Sequence, residues 1–119
     1  MNIIKSHKEL IVYQMAFKSS MEIFFLTKSF PKDEIYIITS QMKRAADSIV
    51  LNIAEGSTGQ TNPEFRRFLS YATRSAVEVV ACLHIAKKRS FISQDIFQEY
   101  YSKSEEIIKM LQGLRNSIK

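Results

Sequence analysis

The chain has 119 residues, 45% of them hydrophobic, and a formal net charge of +5, which predicts a single folded domain spanning residues 1–119. This composition excludes an intrinsically disordered chain, and the single cysteine, Cys82, excludes a scaffold held by internal disulfides. A membrane span of about 18 apolar residues and a signal peptide are both missing from the sequence, which favours a cytoplasmic protein without a membrane role.

Apolar residues at helical spacing predict a first helix over residues 8–28. Ser6 is expected to cap this helix, with Glu9 as its capping-box partner. The spacing predicts an inward face of Tyr13, Ala16, Phe17, Ser20, Ile23, Phe24 and Thr27. Ile11, Met15 and Phe25 lie elsewhere on the circumference, so we expect this helix to be deeply buried or to contact a second subunit.

Pro31, followed by Asp33 and Glu34, predicts the start of a second helix over residues 32–55. Its inward stripe is predicted to consist of Ile38, Met42, Ala45, Ile49 and Ile53. Gly56 is predicted to end the helix as a left-handed cap. The loop GSTGQT at 56–61 is predicted to be a plain connection, because the strand and the GKS or GKT ending of a phosphate-binding loop are missing.

Two further helices complete the predicted fold. Asn62, Pro63 and Glu64 open a third helix that ends near 87–89, and Ser93 caps a fourth over residues 94–118. Their predicted inward residues are Phe65, Phe68, Leu69, Ala72, Ala76, Val79, Val80, Leu83 and Ala86, then Phe97, Tyr100, Ser104, Ile107, Leu111, Leu114 and Ile118. Four helices joined by short loops predict an all-α, antiparallel up-down-up-down four-helix bundle.

The positive charge is concentrated in the middle of the chain. Residues 43–89 hold eight basic and four acidic residues, and therefore carry +4 of the net charge of +5. Charge alone favours a soluble, slightly basic surface, and the alternative that this excess indicates is a polyanionic partner. The candidate nucleic-acid contacts are Lys43, Arg44, Arg66, Arg67, Arg74, Lys87, Lys88 and Arg89.

The sequence contains no pattern that indicates a metal site, a cofactor or an enzyme. Neither His7 nor His84 belongs to an HExxH pattern or to the Glu-x-x-His pairs of di-iron bundles. Cys82 would need a nearby base to act as a nucleophile, and His84, two residues away on a helix, points to a different side. We therefore expect a buried, inert cysteine.

A group of polar residues lies close to the apolar stripe of the second helix. Ser48, Asn52 and Glu55 are spaced by four and three residues and share one face, and Glu78 lies on the antiparallel third helix. Buried polar groups need hydrogen-bond partners, so we expect a structural polar network that fixes helix register or holds the GSTGQT loop. The alternative is a paired-carboxylate hydrolase site formed by Glu55 and Glu78.

Residues 10–86 resemble a bacterial family of small four-helix-bundle proteins, some encoded within intervening sequences of 23S ribosomal RNA genes. The matching segments are LIVYQMA at 10–16, FPKDE at 30–34, SQMKRAADSIVLNIAEG at 40–56, EFRRFLSYA at 64–72 and SAVEVVACLHIA at 75–86. The sequence departs from the family's usual residues at Tyr13, at Val50 with Leu51, and at Arg74. Because Pro is common at the second of these places, its absence predicts a straighter second helix.

The resemblance implies a homo-oligomer in the form of a ring, a pentamer, without known catalytic residues. The family is also similar to an accessory protein of diversity-generating retroelements. That protein is a basic pentameric bundle that works with a reverse transcriptase and RNA. By this similarity we expect binding of RNA or DNA. The alternative is a protein-protein assembly or adaptor module with no nucleic-acid role, whose partner is a reverse transcriptase or another protein.

Overall fold

The fold follows from a computed structural model that describes residues 7–58 and 61–119. It contains four α-helices: α1 (His7–Leu26), α2 (Ile38–Gly56), α3 (Asn62–Lys88) and α4 (Gln94–Ser117). Helix α1 packs on α2 and α4, and α3 packs on α2 and α4, in a body of 43 × 23 × 20 Å. This arrangement confirms the predicted four-helix bundle. None of the helices in the described ranges has the length and apolar character needed to cross a bilayer.

The apolar stripe of α2 is confirmed as the centre of the core. Its five predicted residues, Ile38, Met42, Ala45, Ile49 and Ile53, are all buried. Most of the predicted inward residues of α3 and α4 are buried as well, while Phe65, Phe68, Val80, Tyr100 and Ile118 are only half-buried. Because α2 has a single apolar stripe, its spacing leaves only one orientation that removes these side chains from water.

The predicted start of the second helix is wrong. Pro31 opens only a short 3-10 turn, Lys32–Glu34, and α2 begins at Ile38. The backbone of Ile37 (φ −118°, ψ −105°) lies outside the helical region and separates the two elements. The intervening sequence Ile35-Tyr36-Ile37 consists of β-branched and aromatic residues with low helix propensity, which explains why the Pro31 turn does not continue into α2.

The predicted inward face of α1 is correct at Ala16, Ile23 and Thr27 and wrong at Phe17 and Phe24. Phe17 and Phe24 are 51% and 41% exposed, whereas Val12 and Ser19 are buried beside the correctly predicted Ala16, Ile23 and Thr27. Two stripes on this helix have helical spacing, and the one with smaller side chains faces inward. Small residues allow closer helix approach, so α1 packs on this side and leaves its large aromatic side chains outside.

A buried polar contact also fixes the rotation of α1. Glu9 is only 3% exposed, and its Oε2 accepts a hydrogen bond of 3.0 Å from the hydroxyl of Ser57 at the end of α2. The predicted capping partner of Glu9, Ser6, lies outside the described residues. Since a buried carboxylate is costly unless it accepts hydrogen bonds, the Ser57 contact favours the observed orientation of α1.

The connection between α2 and α3 corrects two further predictions. Gly56 is the last residue of α2 and is not a left-handed cap, since its φ is not positive. A side chain there would place Cβ 2.9 Å from Phe68 Cβ and 3.0 Å from Phe65 Cδ1, so glycine allows α3 to approach closely. Thr61, rather than the predicted Asn62, caps α3 by accepting from the amide of Glu64. Residues 59 and 60 of the predicted loop lie outside the described part of the chain.

Candidate nucleic-acid interface

Three of the candidate basic residues form a row on the outer side of α3. Arg67, Arg74 and Lys88 are exposed and are separated by seven and fourteen residues, which places them on the same side of a helix. From Arg67 to Lys88 the row is about 31 Å long at 1.5 Å per residue. This length matches an extended partner with repeated charges better than a small molecule.

Two of the eight predicted contacts are already engaged with acidic residues. Arg67 forms an ion pair with Glu64 one turn earlier, and Arg89 Nη1 lies 3.6 Å from Glu34 Oε1. The second pair joins the α1–α2 connection to the C-terminal end of α3. The other six basic residues form no ion pair within the described part of the chain.

Four of those six make other contacts, and one of the four, Arg74, lies 5.8 Å from the ring centre of Tyr71. The ammonium groups of Lys43 and Lys87 lie 5.0 Å and 4.6 Å from the ring centres of Phe24 and Phe97. The half-buried Arg66 donates from Nη1 to the carbonyl oxygen of Ile118 at 3.2 Å and thereby ties α3 to the end of α4. Cation–π contacts leave the positive charge in place, so Lys43 and Lys87 still contribute to the surface potential.

A polar groove lies between α3 and α4, and Arg74 is one of its walls. The groove has a volume of about 540 Å³ and is lined by Ser70, Thr73, Arg74, Gln112, Arg115 and Asn116. Arg115 was missed in the sequence analysis because it lies outside the basic segment 43–89. The sequence does show that Gln112, Arg115 and Asn116 share one polar face of α4. It does not show the register of α4 against α3, which decides whether that face lies beside Arg74.

A second groove, between α2 and α3, is lined by two of the four residues of the predicted polar network, Ser48 and Glu78. Asn52 donates to Ser48 Oγ at 2.9 Å, and the Ser75 hydroxyl lies 2.9 Å from the same oxygen. Ser48, Ser75 and Glu78 line this groove of about 630 Å³ together with Arg44. These contacts connect α2 to α3 through hydroxyl and amide groups.

Of the two predicted carboxylates of this network, Glu78 lines the α2–α3 groove and Glu55 does not. Glu78 accepts a hydrogen bond from Gln41 at 3.3 Å and lines the α2–α3 groove. Glu55 is exposed, does not line the groove, and its side chain makes no hydrogen bond or ion pair with the described residues. The structure therefore does not bring Glu55 into the Ser48–Asn52 contacts.

Cys82 of α3 is buried in the core, and His84 of the same helix packs against aromatic rings. Cys82 is 1% exposed, and burial, together with the negative charge of Glu78, raises the pKa of its thiol to about 11. The His84 ring lies 4.9 Å from Phe97 and 6.1 Å from Tyr101 between ring centres. The part of the chain that the structure describes contains no group of His, Cys, Asp and Glu side chains suited to a metal ion.

Comparison with known proteins places this geometry in a family. The chain is similar in structure to a protein of unknown function from the S23 ribosomal protein family of Bacteroides thetaiotaomicron VPI-5482, with a TM-score of 0.85, 23% sequence identity, and coverage of 92% of this chain and 98% of that chain. The comparison with curated proteins gives no match. Residues 8–113 match the model of the 23S rRNA-intervening sequence protein family, and the chain belongs to that family.

Proposed function

We propose that this chain is a non-enzymatic, homo-oligomeric four-helix bundle that binds nucleic acid, RNA or DNA, through basic residues on its outer surface. The observation that carries the proposal is the row Arg67, Arg74 and Lys88, which places three cations along one side of α3. Arg67 is paired with Glu64, whereas Arg74 and Lys88 form no ion pair with the described residues. Phosphates repeat at short intervals along a nucleic acid, and each neutralised phosphate releases bound counterions. An extended row of cations uses this source of affinity better than a compact cluster does.

The homo-oligomeric part of the proposal rests on an apolar stripe along the outside of α1. The stripe consists of Leu10, Phe17, Met21 and Phe24, which are 39–51% exposed. Their spacing of seven, four and three residues places them on one side of the helix. Full burial of such a side chain contributes roughly 1.5–3 kcal/mol, so covering all four with a second copy would stabilise an assembly by several kcal/mol.

Assembly would strengthen weak contacts with nucleic acid. Each chain carries a net charge of +5, and a ring of identical chains presents the same basic row several times. Once one subunit is bound, the others bind at a high effective concentration, which raises overall affinity without any new contact. The pentameric ring implied by the family resemblance is the assembly that we propose.

A second candidate function, a protein-protein assembly or adaptor module, is favoured by the turn before α2. Its residues Ile35, Tyr36 and Ile37 are 53%, 90% and 58% exposed. Three consecutive exposed apolar residues are typical of a protein contact. Two results together would favour this candidate. The chain would fail to bind RNA or DNA, and a pull-down after nuclease treatment would recover a stoichiometric protein partner, such as a reverse transcriptase.

The proposal predicts salt-dependent binding of the wild-type protein to nucleic acid. A labelled RNA and a duplex DNA of equal length are titrated with protein at several salt concentrations, and binding is followed by fluorescence anisotropy. The logarithm of the association constant is expected to fall linearly with the logarithm of salt concentration, with a slope of about −0.7 to −0.9 per phosphate contacted. Lack of binding at low salt, or binding that does not respond to salt, would reject the proposed function.

A further inference from the structure

The polar groove between α3 and α4 is formed by two matching sets of side chains. Helix α3 contributes Ser70, Thr73 and Arg74, and α4 contributes Gln112, Arg115 and Asn116. Both sets have the spacing i, i+3, i+4, which places each of them on one face of its helix. The two guanidinium groups therefore line one cleft from opposite walls.

Arg115 is held in this cleft by a hydrogen bond that leaves part of its guanidinium unused. Its Nε donates to Ser70 Oγ at 2.7 Å, and the Ser70 hydroxyl in turn donates to the carbonyl oxygen of Arg66 at 3.1 Å. Within the described residues, the terminal nitrogens of Arg115 have no hydrogen-bond acceptor or ion pair. A guanidinium fixed through Nε presents its two terminal N–H groups side by side, a geometry that matches two oxygens of one phosphate.

Arg74 supplies the second guanidinium from the opposite wall. It lies 5.8 Å from the ring centre of Tyr71 and forms no ion pair with the described residues. The carboxylate of Glu78, one turn later on α3, lines the other groove and accepts a hydrogen bond from Gln41. None of the described residues that line the α3–α4 groove carries a carboxylate, so the field of the groove favours an anion.

We infer that the α3–α4 groove is a subsite for a backbone phosphate of a bound nucleic acid, with Arg74 and Arg115 as the groups that contact its oxygens and Ser70 as the residue that positions Arg115. Gln112, Asn116 and Thr73 supply neutral polar groups for the adjoining sugar and its linking oxygens. The inference rests on the proposed function and gives the basic row a defined point of attachment, because Arg74 belongs to both.

The test compares two variants of equal net charge in binding a fluorescein-labelled single-stranded RNA of roughly 20 nucleotides. Arg74→Gln with Arg115→Gln removes both guanidinium groups of the groove. Lys18→Gln with Lys32→Gln removes two exposed charges elsewhere on the surface. The groove variant is expected to bind roughly tenfold more weakly than the control variant, and its salt slope is expected to be smaller than that of the wild type by about 0.7, because one phosphate contact is lost.

A third variant separates a shaped site from a general positive field. Ser70→Ala keeps every charge but removes the hydroxyl that holds Arg115, so we expect several-fold weaker binding at unchanged net charge. If the double groove variant melts far below the wild type, Arg74→Gln alone replaces it, since Arg74 makes no hydrogen bond to the described residues.

The outcomes distinguish the two levels of the proposal. If the wild type binds RNA and the groove variant binds as tightly as the control, the phosphate subsite is wrong while the proposed function stands. If the wild type binds neither RNA nor DNA, the proposed function itself fails and the subsite fails with it. Weaker binding by the groove variant, with Ser70→Ala between it and the wild type, supports both.

Discussion

A protein carrying both Phe17→Glu and Met21→Glu is expected to sediment as a 13.8 kDa monomer and to bind nucleic acid at least about 100-fold more weakly than the wild type. The two side chains are 51% and 47% exposed at the centre of the apolar stripe on α1. Two carboxylates placed there would be desolvated by a second copy, and their desolvation opposes assembly. Loss of the assembly then removes the multivalent part of the affinity.

The matched control for this variant is Gln94→Glu with Gln98→Glu. These two exposed positions on α4 receive the same two negative charges without removing apolar surface. The control is expected to remain an oligomer and to lose only the modest affinity that a lower net charge explains. Sedimentation velocity reports the assembly and anisotropy reports the binding. If the α1 variant remains an oligomer, the stripe is not the interface, and if it is monomeric with wild-type affinity, multivalency is not the source of affinity.

The same substitution at two glycines is expected to change stability in opposite directions. Gly56→Ala adds a Cβ that would lie 2.9 Å from Phe68 Cβ, an atom fixed to the backbone of α3, so the helices must separate. Overpacking of this kind destabilises by about 1–3 kcal/mol. Gly113→Ala meets no atom within 4 Å and raises helix propensity in α4, which stabilises by about 0.5–1 kcal/mol.

Thermal unfolding at one fixed protein concentration measures both glycine variants. For a chain of this size, about 1 kcal/mol corresponds to a change in Tm of roughly 4 °C. We expect the Gly56 variant to melt below the wild type and the Gly113 variant above it. Equal changes in Tm for the two variants would show that α2 and α3 are not in close contact at Gly56.

The parts of the fold that could be predicted are those where one physical requirement acts alone. The stripe of α2 has one helical period and one apolar face, so its burial followed directly from spacing. Helix α1 has two faces with the same spacing, and the choice between them depended on Ala16 and Ser19 packing closely and on Glu9 reaching Ser57. Those contacts link residues far apart in the chain, so no local pattern contains them.

The candidate site shows the same division. Charge along the chain pointed to the basic segment 43–89, and the structure places Arg67, Arg74 and Lys88 on one side of α3. The partner of each cation depends on residues that are distant in sequence and close in space. Arg89 is paired with Glu34 from a distant turn, and Arg115 joins Arg74 across a groove. A sequence gives the number of cations in a segment but not the partner that each one meets.

The central claim, that nucleic acid binds along the α3–α4 side of the bundle, is tested most directly by arginine footprinting. The protein is treated with phenylglyoxal with and without saturating RNA, and modification of each arginine is measured by mass spectrometry. We expect RNA to protect Arg74 and Arg115, which line the α3–α4 groove, from modification. Bound RNA that leaves Arg74 and Arg115 fully reactive would contradict the account.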